Sequence, residues 1–226
     1  MNNENINQIE RNLFLINQRI NQACKIYSKN KSDVNLIAVS KKQSTDKIYQ
    51  AIKFGVTNFG ENYIKEAQEK WLEIKKENPQ IKLHFIGNLQ SNKASDAVEL
   101  FDFIHSLDSQ KLALELKKEI KKQQKNPEIF VQVNISEEPQ KGGILPNEVS
   151  DFMYFAKNEC GLNIVGLMCI PNPEERASPY FALLNKIAKK NNLKNLSMGM
   201  TADFEEAIAL DANYIRIGTA IFGERT

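Results

Sequence analysis

Eight short apolar runs, each set off by turns and separated by amphipathic helical stretches, constrain this chain more than any other feature. The runs lie at 36–39, 57–59, 83–86, 103–105, 129–135, 164–170, 196–198 and 214–217. Most are too short for a helix and suit strands buried on both faces. Between them apolar residues step by three and four, as in Ile64, Ala67, Trp71 and Ile74, or Leu112, Leu116 and Ile120. The runs recur roughly every 25 residues, as in consecutive βαβ units. Eight such units predict an α/β fold, a single (β/α)₈ TIM barrel spanning 1–226. A doubly wound open sheet is the competing architecture, but it fits six strands better than eight. The chain stops soon after the eighth run, where a full outer helix would follow. An additional N-terminal helix, with its stripe of Ile6, Ile9, Leu13, Ile16, Ile20 and Ala23, is expected to cover that seam.

Charge and composition exclude several function classes. The 226 residues carry 30 basic and 28 acidic side chains, a net charge of +2. That balance offers no electrostatic case for nucleic acid or an anionic membrane. The basic runs near 117–125 and 186–194 are interrupted at helical spacing and read as solvated helix faces. Cys24, Cys160 and Cys169 form no CxxC pair and no disulfide framework. His84 and His105 fall within strands and read as packed core rather than catalysts, and no cluster has the ligand spacing of a zinc site, so no metal is expected. The N-terminus lacks the layout of a signal peptide, and no apolar run approaches the ~20 residues of a membrane span. A cytoplasmic protein is expected.

A parallel barrel places its active site at the C-terminal ends of its strands. Ser40-Lys41-Lys42 follows the first strand. Burial disfavours an ammonium, and a neutral amine can attack an aldehyde to form a Schiff base. Alternation allows only one of the two lysines to face the mouth and does not say which. The seventh strand ends in Ser197-Met198-Gly199-Met200-Thr201 and the eighth in Arg216-Ile217-Gly218-Thr219-Ala220. Barrels often bind a phosphate in this pair of turns, where glycines allow close approach of backbone amides. Asp203 reads as a helix N-cap with Glu206 three residues on, so a phosphate is expected on the turn amides. Arg216 lies inside the last strand and needs a partner, either a structural acid or a ligand. Asn62, Asn88, Gln90, Ser91, Asn92 and Lys141 also follow strands, with less distinct roles.

Together these turns resemble the pyridoxal phosphate homeostasis protein family. The resemblance is carried by LIAVSK at 36–41, FGENY at 59–63, HFIGNLQSNK at 84–93, VNIS with the later KGG at 133–143, GLMCIP at 166–171, SMGMTADFEEAI at 197–208 and RIGTAIFGER at 216–225. It implies the barrel of the alanine racemase N-terminal domain, fold type III. It also implies that Lys41, not Lys42, carries pyridoxal 5′-phosphate as a Schiff base. By the same resemblance Ser197, Gly199, Met200, Thr201, Gly218 and Thr219 belong to the phosphate-cradling turns. Arg216 matches the arginine facing the pyridine nitrogen, and Lys141 a lysine near the site. Three stretches depart from the family: Lys42-Gln43-Ser44 replaces threonine-lysine-proline, Asn88 replaces a proline, and Thr201-Ala202-Asp203 stands where paired aspartates are common.

The implied role is intracellular homeostasis of pyridoxal phosphate without established turnover, with transient transfer to apoenzymes and a monomeric state expected. An arginine beside a pyridine nitrogen disfavours its protonation, which weakens the ring as an electron sink. Racemisation also needs acid–base groups on both faces of the substrate carbon. In alanine racemase-like enzymes the second base comes from a further domain, and this chain is expected to end before one. The alternatives are a fold-type III racemase or lyase, and a cofactor-free Schiff-base aldolase.

Overall fold

In a computed structural model, which describes residues 8–224, the chain forms a closed parallel barrel. Ile6 of the first stripe lies outside the described residues. The elements run α1 (Gln8–Ile26), β1 (Asn35–Val39), α2 (Thr45–Lys53), β2 (Asn58–Glu61), α3 (Ile64–Glu77), β3 (Lys82–Phe85), α4 (Ala94–Leu100) and β4 (Phe103–Leu107). They continue with α5 (Gln110–Gln123), β5 (Glu128–Val133), α6 (Val149–Tyr154), β6 (Ile164–Cys169), α7 (Ala177–Lys190), β7 (Asn195–Ser197), α8 (Phe204–Ala209), β8 (Tyr214–Ile217) and α9 (Thr219–Phe222). Each strand pairs with the next, and β8 returns to β1. That closing register sets Asn35 against Tyr214 and Ile37 against Arg216.

Local chemistry fixes the helix starts. The Ser44 hydroxyl accepts from the Lys47 amide at the head of α2, and the Ser109 hydroxyl accepts from the Leu112 amide at the head of α5. The segment from Val149 to Cys160 changes character midway: α6 passes into a π-helical turn at Phe155–Glu159.

The barrel interior is filled by side chains at alternate strand positions. Phe103, Phe130 and Met168 form a cluster of their own there. His84 stacks on Phe103 with centroids 4.2 Å apart, and His105 stacks on Phe130 at 4.3 Å. Gly60 is required by this packing, since a Cβ there would sit 2.9 Å from Ile37 and Ile86 side-chain carbons.

Outside, α1 buries Ile9, Leu13, Ile16, Ile20, Ala23 and Cys24, and packs against α2, α8 and α9. It therefore covers the seam between β8 and β1, as its apolar stripe predicts. Ile20 is fully buried in that contact. Ile20→Ala is expected to destabilise the fold by about 3 kcal/mol through lost burial and a cavity, read as a lower urea midpoint.

Candidate functional site

The loop after β1 is held from below. The Ser40 amide donates to the Gly60 carbonyl at 3.0 Å, and its hydroxyl donates to Glu61 Oε1 at 2.7 Å. Glu61 is fully buried, and the same oxygen accepts from Trp71 Nε1 at 3.0 Å and Lys70 Nζ at 2.7 Å. Lys70 also donates to the Ser40 carbonyl at 2.9 Å. Burial raises the Glu61 pKa above the ordinary carboxylate range, against the opposing pull of Lys70, Trp71 and Ser40. This network fixes the backbone from which Lys41 projects. Lys42 adopts φ 58°, is exposed, and gives its amide to the Glu66 carboxylate. Sequence reasoning passed over Glu61, because a glutamate at a short strand's end carries no periodic signal.

Lys41, Met200, Thr201, Arg216, Gly218 and Thr219 converge on one cavity of about 290 Å³ at the C-terminal mouth. Val39, Asn62, Ile86, Ile170 and Ala202 complete its lining. Its size lies near the lower end for small-molecule pockets, roughly 300 Å³. Among the described residues, the amides of Thr201, Ala202 and Gly218 donate to no protein acceptor. The Met200 amide differs, because it donates to Asp203 Oδ1 at 2.6 Å. Asp203 thus occupies the N-cap position of α8 yet spends its carboxylate on the turn.

Two residues expected in the cradle sit beneath it. The Ser197 side chain turns inward and is fully buried, its hydroxyl 2.9 Å from His105 Nδ1 and 2.7 Å from Arg216 Nη1. Alternation along β7 forces this, since Leu196 must face the outer helices. Gly199, at φ +89°, is required by packing: a Cβ would meet the Ala207 Cβ at 2.6 Å. Gly218 lies at the cavity itself, with a hypothetical Cβ 3.3 Å from the Val39 Cβ and carbonyl oxygen.

Arg216 is 5% exposed, and among the described residues no carboxylate lies within ion-pair distance of it. Its protein acceptors are neutral: the Ser197 hydroxyl, and the Cys169 carbonyl at 2.9 Å from Nη2. A guanidinium carries five N–H donors. The remaining donors belong to a buried cation that lines the cavity. The structural ion pair weighed for Arg216 is therefore absent among the described residues. His84 and His105 are packed core, as expected, and also polar: His84 Nδ1 lies 3.0 Å from His105 Nε2.

The other candidates fall outside the cavity, apart from Asn62. Lys141 pairs with Glu138 and reaches the Pro171 carbonyl at 3.4 Å. Asn88 and Gln90 line a neighbouring groove of about 490 Å³ with Tyr63 and Lys93. Among the described residues no group of three His, Cys, Asp or Glu side chains is placed to hold a metal, and no helix is long and apolar enough to cross a membrane.

A parallel barrel with a lysine, a buried arginine and two amide-bearing turns around its mouth defines a class of small-molecule-binding α/β barrels. Comparison with known proteins narrows the class. The family model described as "Alanine racemase, N-terminal domain" matches residues 5–226. The "Pyridoxal phosphate homeostasis protein" of Pasteurella multocida is 40% identical, over 96% of this chain and 97% of its own. The protein of the same name from Haemophilus influenzae is 37% identical, over 96% of each chain. The solved structure of PipY from Synechococcus elongatus with pyridoxal phosphate bound superposes with TM-score 0.77 at 32% identity, covering 91% of this chain and 100% of that one. The chain belongs to the alanine racemase N-terminal domain family and, within it, to the pyridoxal phosphate homeostasis proteins.

The buried histidines give a pH signature. Burial lowers His84 to about 3 and His105 well below its ordinary value. Below pH 6.5 the unfolded chain binds protons that the folded chain does not, so stability is lost as pH falls through that window. Between pH 7 and pH 5 the expected loss from His84 is about 2 kcal/mol, with His105 adding in the same direction. Urea unfolding at the two pH values checks this, and His84→Gln is expected to flatten the dependence.

Proposed function

We propose that this chain binds pyridoxal 5′-phosphate at the barrel mouth and acts as a holder of the cofactor in its homeostasis. The carrying observation is the convergence on one cavity of Lys41, the unused turn amides, and a buried arginine with donors to spare. The donor set suits the group chemically. Thr201, Ala202 and Gly218 amides, with the Thr201 and Thr219 hydroxyls, would hold a phosphate. Arg216 would donate to the ring nitrogen, and Lys41 supplies the amine. When bound, the cofactor supplies an aldehyde that condenses with an amine as a Schiff base.

The lining also favours holding over turnover. Among the described residues it contains no carboxylate, imidazole or phenol, the groups that would serve as a second acid or base across a substrate carbon. Arg216 at the ring nitrogen would keep that nitrogen unprotonated, which lowers the ring's capacity to stabilise a carbanion. Delivery to apoenzymes belongs to the same reading: a group held by a reversible bond at an open mouth can be handed on.

Two measurements test the reading. Added pyridoxal phosphate should give a visible absorbance band, and borohydride reduction followed by peptide mapping should place the pyridoxyl group on Lys41. Lys41→Ala should lose the band and keep the fold, since the residue sits at the mouth and not in the core. No adduct, or one elsewhere, refutes the assignment. Gly218→Val should weaken cofactor binding, because a branched side chain would crowd Val39 and cover the amide. An unchanged dissociation constant would remove that turn from the cradle.

A further inference from the structure

The barrel interior contains a polar chain that the site above does not use directly. It starts at Asn58 near the N-terminal face, passes through His84 and His105, and ends at Ser197 under Arg216. We propose that Asn58, His84, His105 and Ser197 form a hydrogen-bond relay of one fixed direction that positions the Arg216 guanidinium at the cavity. The two histidines are then positioning residues of the mouth, although neither reaches it. What the positioned arginine faces rests on the cofactor reading; the relay itself does not.

Both ends of the chain set the same direction. Asn58 Nδ2 donates to Thr57 Oγ1 at 3.2 Å, which leaves Oδ1 to accept from His84 Nε2 at 3.0 Å. His84 then presents a lone pair at Nδ1, 3.0 Å from His105 Nε2, so His105 Nε2 carries the proton. His105 Nδ1 is the next lone pair and accepts from the Ser197 hydroxyl at 2.9 Å. The Ser197 oxygen keeps a lone pair for Arg216 Nη1 at 2.7 Å. From the other end, Arg216 can only donate, so among the described residues His105 Nδ1 is the acceptor left for the Ser197 hydroxyl proton, which gives the same order. No link needs a second proton or lacks one.

The rings cannot readily turn out of this arrangement. His84 lies against Phe103 at an interplanar angle of 10°, and His105 against Phe130 at 11°. Both are fully buried. Burial keeps them neutral; Lys75 and Lys82 push the same way on His84, and His84 and Arg216 on His105, while Asp102 alone pulls against it at His84. Aligned bonds polarise one another, so the Ser197 oxygen is a better acceptor than an isolated hydroxyl. This explains how a cation sits in the barrel without a carboxylate. An acid beside Arg216 would cancel the charge it shows to the cavity; a chain of neutral dipoles fixes the side chain and leaves the charge intact.

The test uses the full ¹⁵N-labelled chain, which has only two histidines. Without cofactor at pH 7, both rings should show a protonated Nε2 and a lone-pair Nδ1, and the Arg216 Nη protons should give separate signals from restricted rotation. Ser197→Ala and His105→Leu should collapse those signals. His105→Asn should keep them, because its side-chain carbonyl can replace the Nδ1 lone pair. With pyridoxal phosphate added, the dissociation constant should rise on the order of tenfold in Ser197→Ala and His105→Leu, one charge-assisted hydrogen bond's worth. In His105→Asn it should stay within about twofold of wild type. Thermal melts establish that each variant is folded, and Ser197→Ala, which removes one oxygen, carries the test if His105→Leu does not fold. An imidazolium or mixed tautomers in the wild type, or matching Arg216 spectra for the wild type and Ser197→Ala, overturns the relay. Equal losses in His105→Leu and His105→Asn do the same. Wild-type protein with the expected tautomers and Arg216 signals but no affinity for pyridoxal phosphate would refute the cofactor reading and leave the relay standing.

Discussion

Closure of β8 onto β1 is the constraint on which the rest of the structure depends. With that ladder made, every strand has two neighbours and the sheet has no edge. The register also decides the site. Ile37 lies opposite Arg216, and both belong to alternating strands whose side chains fall either inside the barrel or against the helices. A slip of one residue would send Arg216 into the apolar helix layer and bring Ile215 or Ile217 inside. An unpaired guanidinium in that layer costs several kcal/mol, so core and site select the same register. The helix α1 defends the seam from outside by burying its stripe across α2, α8 and α9.

The barrel interior is not uniformly apolar, and the distribution of its polar groups is orderly. Toward the N-terminal face, His84 and His105 stack on Phe103 and Phe130, with Met168 beside them. Their ring faces act as apolar surface while their nitrogens bond along the barrel. Above them Ser197 and Arg216 carry the polarity up to the mouth. Each buried polar atom in this column has a partner, which is the condition for polar groups to specify a core rather than weaken it.

Much of this was legible in the sequence, and the failures have physical causes. All eight strands follow from short apolar runs, with bounds displaced by a residue or two; the end of a strand is set by ladder bonds that hydropathy does not report. The π-helical turn at Phe155–Glu159 escaped because its apolar stripe is compatible with an α-helix. At the site, the turns that hold Thr201, Arg216, Gly218 and Thr219, and the Lys41-Lys42 pair, follow from the rule that chemistry gathers where parallel strands end, while the choice of Lys41 over Lys42 came from the family resemblance. The inward place of Ser197 did not follow from that rule, because a hydroxyl on the last strand residue and one just beyond it look alike in a turn sequence. His84 and His105 were rightly read as core. Their link to Arg216 joins residues 92 and 19 positions apart around Ser197, and no local pattern encodes such distances. Glu61 was invisible for the same reason, since its partners Ser40, Lys70 and Trp71 meet only after α3 packs on the barrel.

The mouth combines rigid donors with an open entrance, and the combination bears on what the site can do. Lys41 stands on backbone held by Ser40, Glu61 and Lys70, so the point from which its side chain projects is fixed. Arg216 is held by the Ser197 hydroxyl and the Cys169 carbonyl, and Gly218 is confined by Val39. The apolar side chains above them are looser, with Ile170 40% and Met200 39% exposed. Preorganised donors lower the cost of ordering a ligand on arrival. Incomplete cover means that water and other amines can reach whatever is held there. Strong recognition beneath a partly open top suits the proposed role, in which a reactive aldehyde would be retained and another amine could still collect it.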